Sequence, residues 1–232
     1  MNRRAVVTGS SSGIGAAVAR RLLASGWQVD GLDRSDATLA HEAFRAHRVD
    51  LVDAEATADV TGKLLRDGAP QALVHAAGVL RTAPLGALSA DDGALMWRLH
   101  VDATTRLADA LLPAMAHAGR GRAVFVGSRV WRGLAGRSQY AATKAALLSL
   151  ARSWAAEVVG QGVTVNVVSP AATDTPMLAD PARASSAPRV TPLGRLIRPE
   201  EVAALVAFLL GDEAAAITGQ DIAVCGGASL PR

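Results

Sequence analysis

A single cysteine, Cys225, stands among 232 residues. With no second thiol an intrachain disulfide framework is excluded, and the chain reads as a protein of a reducing compartment, expected in the cytoplasm. Aromatic side chains make up only 3% of the chain, and Tyr140 is its one tyrosine. Lysine is nearly as scarce: Lys63 and Lys144 are the only two, and arginine supplies the other basic residues. No basic run or stripe is present, so the net charge of +3 and the pI near 9.7 reflect scattered arginines rather than a nucleic-acid face. Long apolar runs are also missing. After the basic start at Arg3-Arg4 the first apolar stretch ends at Val7, too short for a signal h-region or a membrane span. Nucleic acid and membrane are therefore not expected partners, while a phosphate-bearing small ligand stays open.

What is present is a chain half hydrophobic, mostly through Ala, Val and Leu. Its length allows a substantial core within one domain. Short apolar runs at 4–8, 28–32, 46–50, 72–75, 122–126, 163–168 and 221–224 read as strands. Amphipathic stretches at 13–25, 54–67, 91–118, 140–160 and 199–210 alternate with them as helices. This alternation predicts an α/β fold: a doubly wound, Rossmann-type three-layer sandwich with a mostly parallel seven-stranded sheet, one domain over 1–232. Residues 174–195 are rich in Pro, Ala and Ser without a clean period, and read as a mobile substrate loop.

Between the first strand and the first helix lies Thr8-Gly9-Ser10-Ser11-Ser12-Gly13-Ile14-Gly15. Glycines at such a turn permit close approach of a pyrophosphate, which the free N–H groups of the helix N-terminus stabilise. The second strand ends at Asp33-Arg34, where the acidic residue of a dinucleotide site is expected. A carboxylate there accepts from the adenosine ribose hydroxyls and repels a 2′-phosphate, which favours NAD. Arg34 can hold a 2′-phosphate, so NADP remains the alternative.

Tyr140 and Lys144 stand four residues apart in a helical stretch, hence on one face and one turn apart. A phenol ordinarily titrates at about 10, and an adjacent cation favours the phenolate, which makes such a pair suited to proton transfer near neutrality. The plainer reading is a tyrosine packed on an aliphatic lysine stem. Ser128, twelve residues upstream and just past a strand, reads as a turn residue or as a third polar member of the site.

With the glycine loop, Tyr140-Ala-Ala-Thr-Lys144 and Ser128 together, the chain resembles the short-chain dehydrogenase/reductase family over about 4–229. Asn166-Val-Val-Ser-Pro170-Ala-Ala-Thr-Asp-Thr175-Pro-Met177, Pro192-Leu-Gly-Arg195 and Ile217-Thr-Gly-Gln220 fit the same pattern. The resemblance implies an alcohol–ketone oxidoreductase with Tyr140 as acid/base, Lys144 lowering its pKa and holding the nicotinamide ribose, and Ser128 bonding the reacting oxygen. It assigns the cofactor to Gly9, Ser11, Ser12, Gly13, Ile14, Gly15, Asp33, Arg34, Asp50, Leu51, Ala76, Ala77, Gly78, Pro170, Ala171, Thr173 and Thr175, besides Tyr140 and Lys144. No metal is implied.

Three departures stand out: His75-Ala76 where the family has Asn-Asn, His100 where it has a relay Asn, and Ala171 where it has Gly after proline. His100 reads either as an imidazole joining the proton relay or as a packed helix residue. His75 reads as a buried structural histidine. Arg81, Trp131 and Met177 are the expected substrate contacts on a small alcohol or ketone. Apolar surface on the helices 102–117 and 140–155 exceeds what one sheet face can cover, which suggests a homodimer or homotetramer. A 3-oxoacyl-type reductase using NADP and a non-catalytic dinucleotide sensor are the competing readings.

Overall fold

The computed structural model describes residues 3–180 and 189–230. Seven parallel strands form one sheet in the order β3-β2-β1-β4-β5-β6-β7. They are β1 Arg4–Thr8, β2 Gln28–Asp33, β3 Phe44–Arg48, β4 Ala72–His75, β5 Gly121–Val126, β6 Val163–Pro170 and β7 Asp221–Val224. The helices are α1 Gly13–Ala24, α2 Ala54–Arg66, α3 Ala90–Trp97, α4 Ala103–His117, α5 Ser138–Val158 and α6 Pro199–Leu209. The central strands β1, β4, β5 and β6 are buried along their whole length, as expected of a parallel sheet covered on both faces.

Two separate cores explain that burial. On one face Val18 and Leu22 of α1 meet Val202, Val206 and Leu209 of α6 over β1 and β4. On the other, Leu64 of α2, Leu107, Leu111 and Met115 of α4, and Ala151 of α5 cover Leu73, Phe125 and Val165. A third, smaller cluster sits at the carboxyl ends of the strands, where Leu80, Met96, Val130 and Tyr140 pack together. The chain order reverses between β1 and β4, and a crevice opens at that switch point, where doubly wound sheets bind ligands.

Most elements shift by a residue or two from their sequence-based bounds, and two of the differences have a physical cause in the packing. The edge strand β3 begins at Phe44, two residues early, because the Phe44 ring packs over Gly31, where no Cβ intervenes. The long helix expected over 91–118 is interrupted: α3 and α4 are joined by a π-helical turn at Arg98–Asp102, which carries His100. Such widened turns release backbone groups from regular pairing and occur often at functional sites. Of the 174–195 stretch, 181–188 lie outside the described residues. No described helix is long and apolar enough to cross a membrane.

Periodicity gave no sign of a buried charge cluster beneath the sheet edge. Asp30 of β2 is 1% exposed and meets Arg4 at 3.6 Å, Arg45 at 3.2 Å and His47 Nε2 at 2.9 Å. Arg4 is itself buried and also donates to the Leu64 and Gly68 carbonyls. Removing one member of a buried pair strands the other charge. Asp30→Ala is therefore expected to destabilise the protein by about 3 kcal/mol in urea unfolding, whereas loss of the exposed Arg48–Asp36 pair should cost at most about 1 kcal/mol.

Candidate active site

The glycine loop is shaped by contacts that side chains would block. Gly9 adopts φ +67°, and a Cβ there would stand 2.9 Å from the Ala77 nitrogen. Gly15 packs against the Gly9 carbonyl so closely that a Cβ has no room. Thr8 ties this loop to the next strand end. Its Oγ1 accepts from the Ala76 and Ala77 N–H groups, both at 3.0 Å, and lies 3.1 Å from His75 Nδ1. With both lone pairs of Thr8 engaged, its hydroxyl proton goes to His75 Nδ1, so the imidazole is neutral. Burial, reinforced by the charge of Lys144, pushes the His75 pKa down to about 3.

Asp33 closes the end of β2. One carboxylate oxygen accepts from Ser11 N at 3.0 Å and the other from Ser35 N at 2.9 Å. Asp33, Arg34, Asp50 and Leu51 line one end of a cleft of about 1250 Å³, with Gly9, Ser12, Gly13 and Ile14 in the middle. That volume exceeds what a drug-sized ligand fills, and the glycine surfaces leave room for a pyrophosphate, so the residues present fit a dinucleotide. Ala76, Ala77, Gly78, Pro170, Ala171, Thr173 and Thr175 line the same cleft. Ser11 and Gly15 do not; they shape the loop from behind.

Ser128, Tyr140 and Lys144 converge at the inner end of this cleft. Lys144 is 4% exposed, and its Nζ donates to the Val126 carbonyl at 2.9 Å. The ammonium stands 5.8 Å from the Tyr140 ring centroid. Desolvation in this pocket lowers the Lys144 pKa from 10.5 to about 7. Ser128 Oγ accepts from Val130 N at 3.3 Å, which leaves the hydroxyl proton available to a ligand oxygen.

His100 is fully buried and stands beside the pair in the lining of the same cleft. Its Nε2 accepts from Val79 N at 3.0 Å, and its Nδ1 lies 2.8 Å from Thr143 Oγ1, which in turn donates to the Tyr140 carbonyl at 2.9 Å. Every proton in this chain has a place: Val79 N–H to Nε2, Nδ1–H to Thr143, Thr143 O–H to Tyr140. Burial first, then the charge of Lys144, holds the imidazole pKa well below its ordinary value. The ring meets Tyr140 edge-on at 5.6 Å. This geometry describes a neutral bracket between the 79–81 segment and the helix turn carrying Tyr140. Thr8 and Thr143, which anchor the two histidines, had no distinguishing signal beyond their places inside the glycine and tyrosine motifs.

The expected substrate contacts divide. Met177 lines the cleft. Trp131 does not: its indole N–H donates to Asp221 Oδ2 at 2.8 Å, and the Arg132 guanidinium lies 5.0 Å over its ring. Arg81 is held outside the lining by Asp180 at 2.9 Å and Asp92 at 3.6 Å. Arg129 and Val130, in the turn after Ser128, and Arg189, in the 174–195 stretch, line the substrate end as their places in the sequence suggest; Leu134 lines it too and carried no such signal.

The buried lysine gives a stability test. Between about pH 7 and 10.5 the unfolded chain binds a proton that folded Lys144 has released, so its contribution makes the cofactor-free protein more stable as pH rises through that window. Urea unfolding of wild type and Lys144→Met across this range should give curves differing in slope by at most one proton, with the wild type rising more steeply. Parallel curves would mean that Lys144 is not desolvated.

Known proteins share the sequence pattern and the fold of this chain. A family model described as enoyl-(acyl carrier protein) reductase matches residues 9–229. The 3-oxoacyl-(acyl-carrier-protein) reductase of Escherichia coli (strain K12) is 36% identical over 234 residues, covering 96% of each chain. A solved structure of a short chain dehydrogenase/reductase family protein superposes with a TM-score of 0.86 at 34% identity, covering 97% of this chain and 96% of the other. An actinorhodin polyketide ketoreductase carrying a Phe-to-Trp change and bound to NADPH gives 0.89 at 25% identity, covering 99% and 98%. The chain belongs to the short-chain dehydrogenase/reductase family of oxidoreductases.

Proposed function

We propose that the protein is an NAD(H)-dependent oxidoreductase that interconverts a secondary alcohol and a ketone. The observation that carries this reading is the convergence of Ser128, Tyr140 and buried Lys144 on the cleft that the glycine loop opens. When bound, a nicotinamide dinucleotide supplies hydride donor and acceptor chemistry. The protein's own part is binding, orientation and one proton. Ser128 donates its free hydroxyl proton to the reacting oxygen, and Tyr140 gives a proton in reduction or takes one in oxidation. Lys144, with one N–H on Val126, has two donors left for ribose hydroxyls, and its charge favours the phenolate. His100 positions rather than titrates in this reading, because both its nitrogens are engaged.

The preference for NAD rests on Asp33, whose carboxylate two backbone N–H groups fix at the end of β2. A fixed negative charge there disfavours a 2′-phosphate. The second reading is an NADP(H)-dependent 3-oxoacyl-type carbonyl reductase. It is favoured by the 36% identical E. coli reductase, by the NADPH-bound ketoreductase structure, and by Arg34 beside Asp33 in the cleft. Assembly as a homodimer or homotetramer, with cytoplasmic residence, completes the proposal. It draws support from the half-buried Leu148 and Trp154 on α5 and the exposed Phe208 on α6.

Paired titrations with NADH and NADPH, followed by a panel of alcohols and ketones, test the proposal. NADH should bind more tightly, and tighter NADPH would move the assignment to the second reading. Tyr140→Phe keeps the ring, so it should weaken cofactor binding far less than it lowers kcat, which should fall by about 10²–10⁴, the usual worth of a positioned proton donor. Full activity in that variant would remove Tyr140 from the chemistry.

A further inference from the structure

At the substrate end of the cleft the apolar walls come from Val79, Leu80, Val130, Leu134 and Met177. Set into this apolar surface are charged groups of uneven sign. Among the described residues Arg129 and Arg189 line it, with Arg137, which has a partner of its own, and the carboxylate of Asp180. That carboxylate is already met by Arg81 at 2.9 Å, from outside the lining. Neither Arg129 nor Arg189 forms an ion pair with any described residue. The other carboxylates of the cleft, Asp33 and Asp50, belong to its far, dinucleotide end.

Position makes the excess charge more than a solvated surface. Arg129 directly follows Ser128 in the short turn Arg129–Arg132, and it is half-buried. Arg137 stands at the N-cap of α5, three residues before Tyr140. Arg129 directly adjoins Ser128 in the chain, and both line the cleft. The Arg129 guanidinium, half-withdrawn from water and with no ion-pair partner among the described residues, is an incomplete pair. The ligand chemistry that completes it best is a planar carboxylate or a phosphate, gripped through two parallel N–H bonds.

We propose that the substrate end of the cleft is an anion-binding site in which Arg129, with Arg189 at the rim, holds the carboxylate or phosphate of an otherwise apolar alcohol or ketone. This inference rests on the oxidoreductase reading and narrows its substrate class. The apolar walls take the body of the substrate, Ser128 and Tyr140 take its oxygen, and the arginines fix its charged end. The anion belongs either to the substrate itself, as a free acid, or to the phosphates of a thioester carrier.

Two matched pairs of ketones separate these sources: acetoacetate against methyl acetoacetate, and acetoacetyl-coenzyme A against its N-acetylcysteamine thioester. Binding of each to the NADH-loaded protein is followed by cofactor fluorescence, and turnover by NADH consumption. In at least one pair the anionic member should bind ten times more tightly or better. Arg129→Ala should reduce that ratio tenfold or more, Arg129→Lys should restore part of it, and thermal unfolding checks that both variants fold. The responding pair names the source, carboxylate or phosphate. Equal affinity within both pairs, or a ratio that Arg129→Ala does not move, overturns the anion site and leaves the oxidoreductase reading standing. An anion preference with no hydride transfer across the whole alcohol and ketone panel keeps the site and removes the oxidoreductase reading.

Discussion

The burial of Lys144 constrains the rest of the site. An ammonium taken from water loses solvation that a single backbone carbonyl, that of Val126, replaces only in part. The consequence is a lysine pushed to about 7, poised between charged and neutral where ordinary lysines are fully protonated. Neighbouring groups are arranged around that one charge. Both nearby histidines are held neutral, in part by it, and Gly78 leaves the space in front of it open: a Cβ at Gly78 would lie 3.1 Å from His100 Nε2 and 3.8 Å from Lys144 Nζ.

The sheet delivers these groups to one place. Thr8 at the end of β1, His75 at the end of β4 and Val126 at the end of β5 share the carboxyl edge of a parallel sheet. Parallel pairing puts the ends of neighbouring strands side by side, so the glycine loop, the Ala76–Gly78 segment and Ser128 become neighbours despite their separation in sequence. Two threonine–histidine links then stiffen the assembly from behind. One ties the glycine loop to the Ala76–Ala77 backbone, and the other ties Val79 to the helix turn bearing Tyr140.

Much of this was legible in the sequence, for physical reasons. Strands buried on both faces must read as apolar runs, so β1, β4, β5 and β6 were recognisable, whereas the polar edge strand β3 slipped by two residues. The glycine loop and the Tyr140–Lys144 spacing were legible because positive φ and shared helix faces leave strict residue patterns. The π-helical turn at His100 left no such pattern, since one inserted residue hardly disturbs an amphipathic period over 91–118. Trp131 was misleading for another reason. A lone indole beside the site suggests a substrate face, yet its N–H needs a partner, and Asp221 on β7 supplies one from a strand ninety residues away. The segments holding Arg129 and Arg189 read as cleft linings, but that neither has an ion-pair partner among the described residues shows only in three dimensions.

The scarcity of tyrosine and lysine makes the coupling of Tyr140 to Lys144 measurable. With one tyrosine and two lysines, of which Lys63 lies on α2 outside the cleft lining, ring-carbon and side-chain-nitrogen magnetic resonance report the pair without ambiguity. Two coupled groups lose their protons in macroscopic steps that belong to the pair. If Lys144 tunes Tyr140, the tyrosine ζ-carbon should shift with the step near neutrality in the wild type and lose that shift in Lys144→Met. A tyrosine that titrates only at about 10, the ordinary phenol value, and identically in both proteins, would contradict the account.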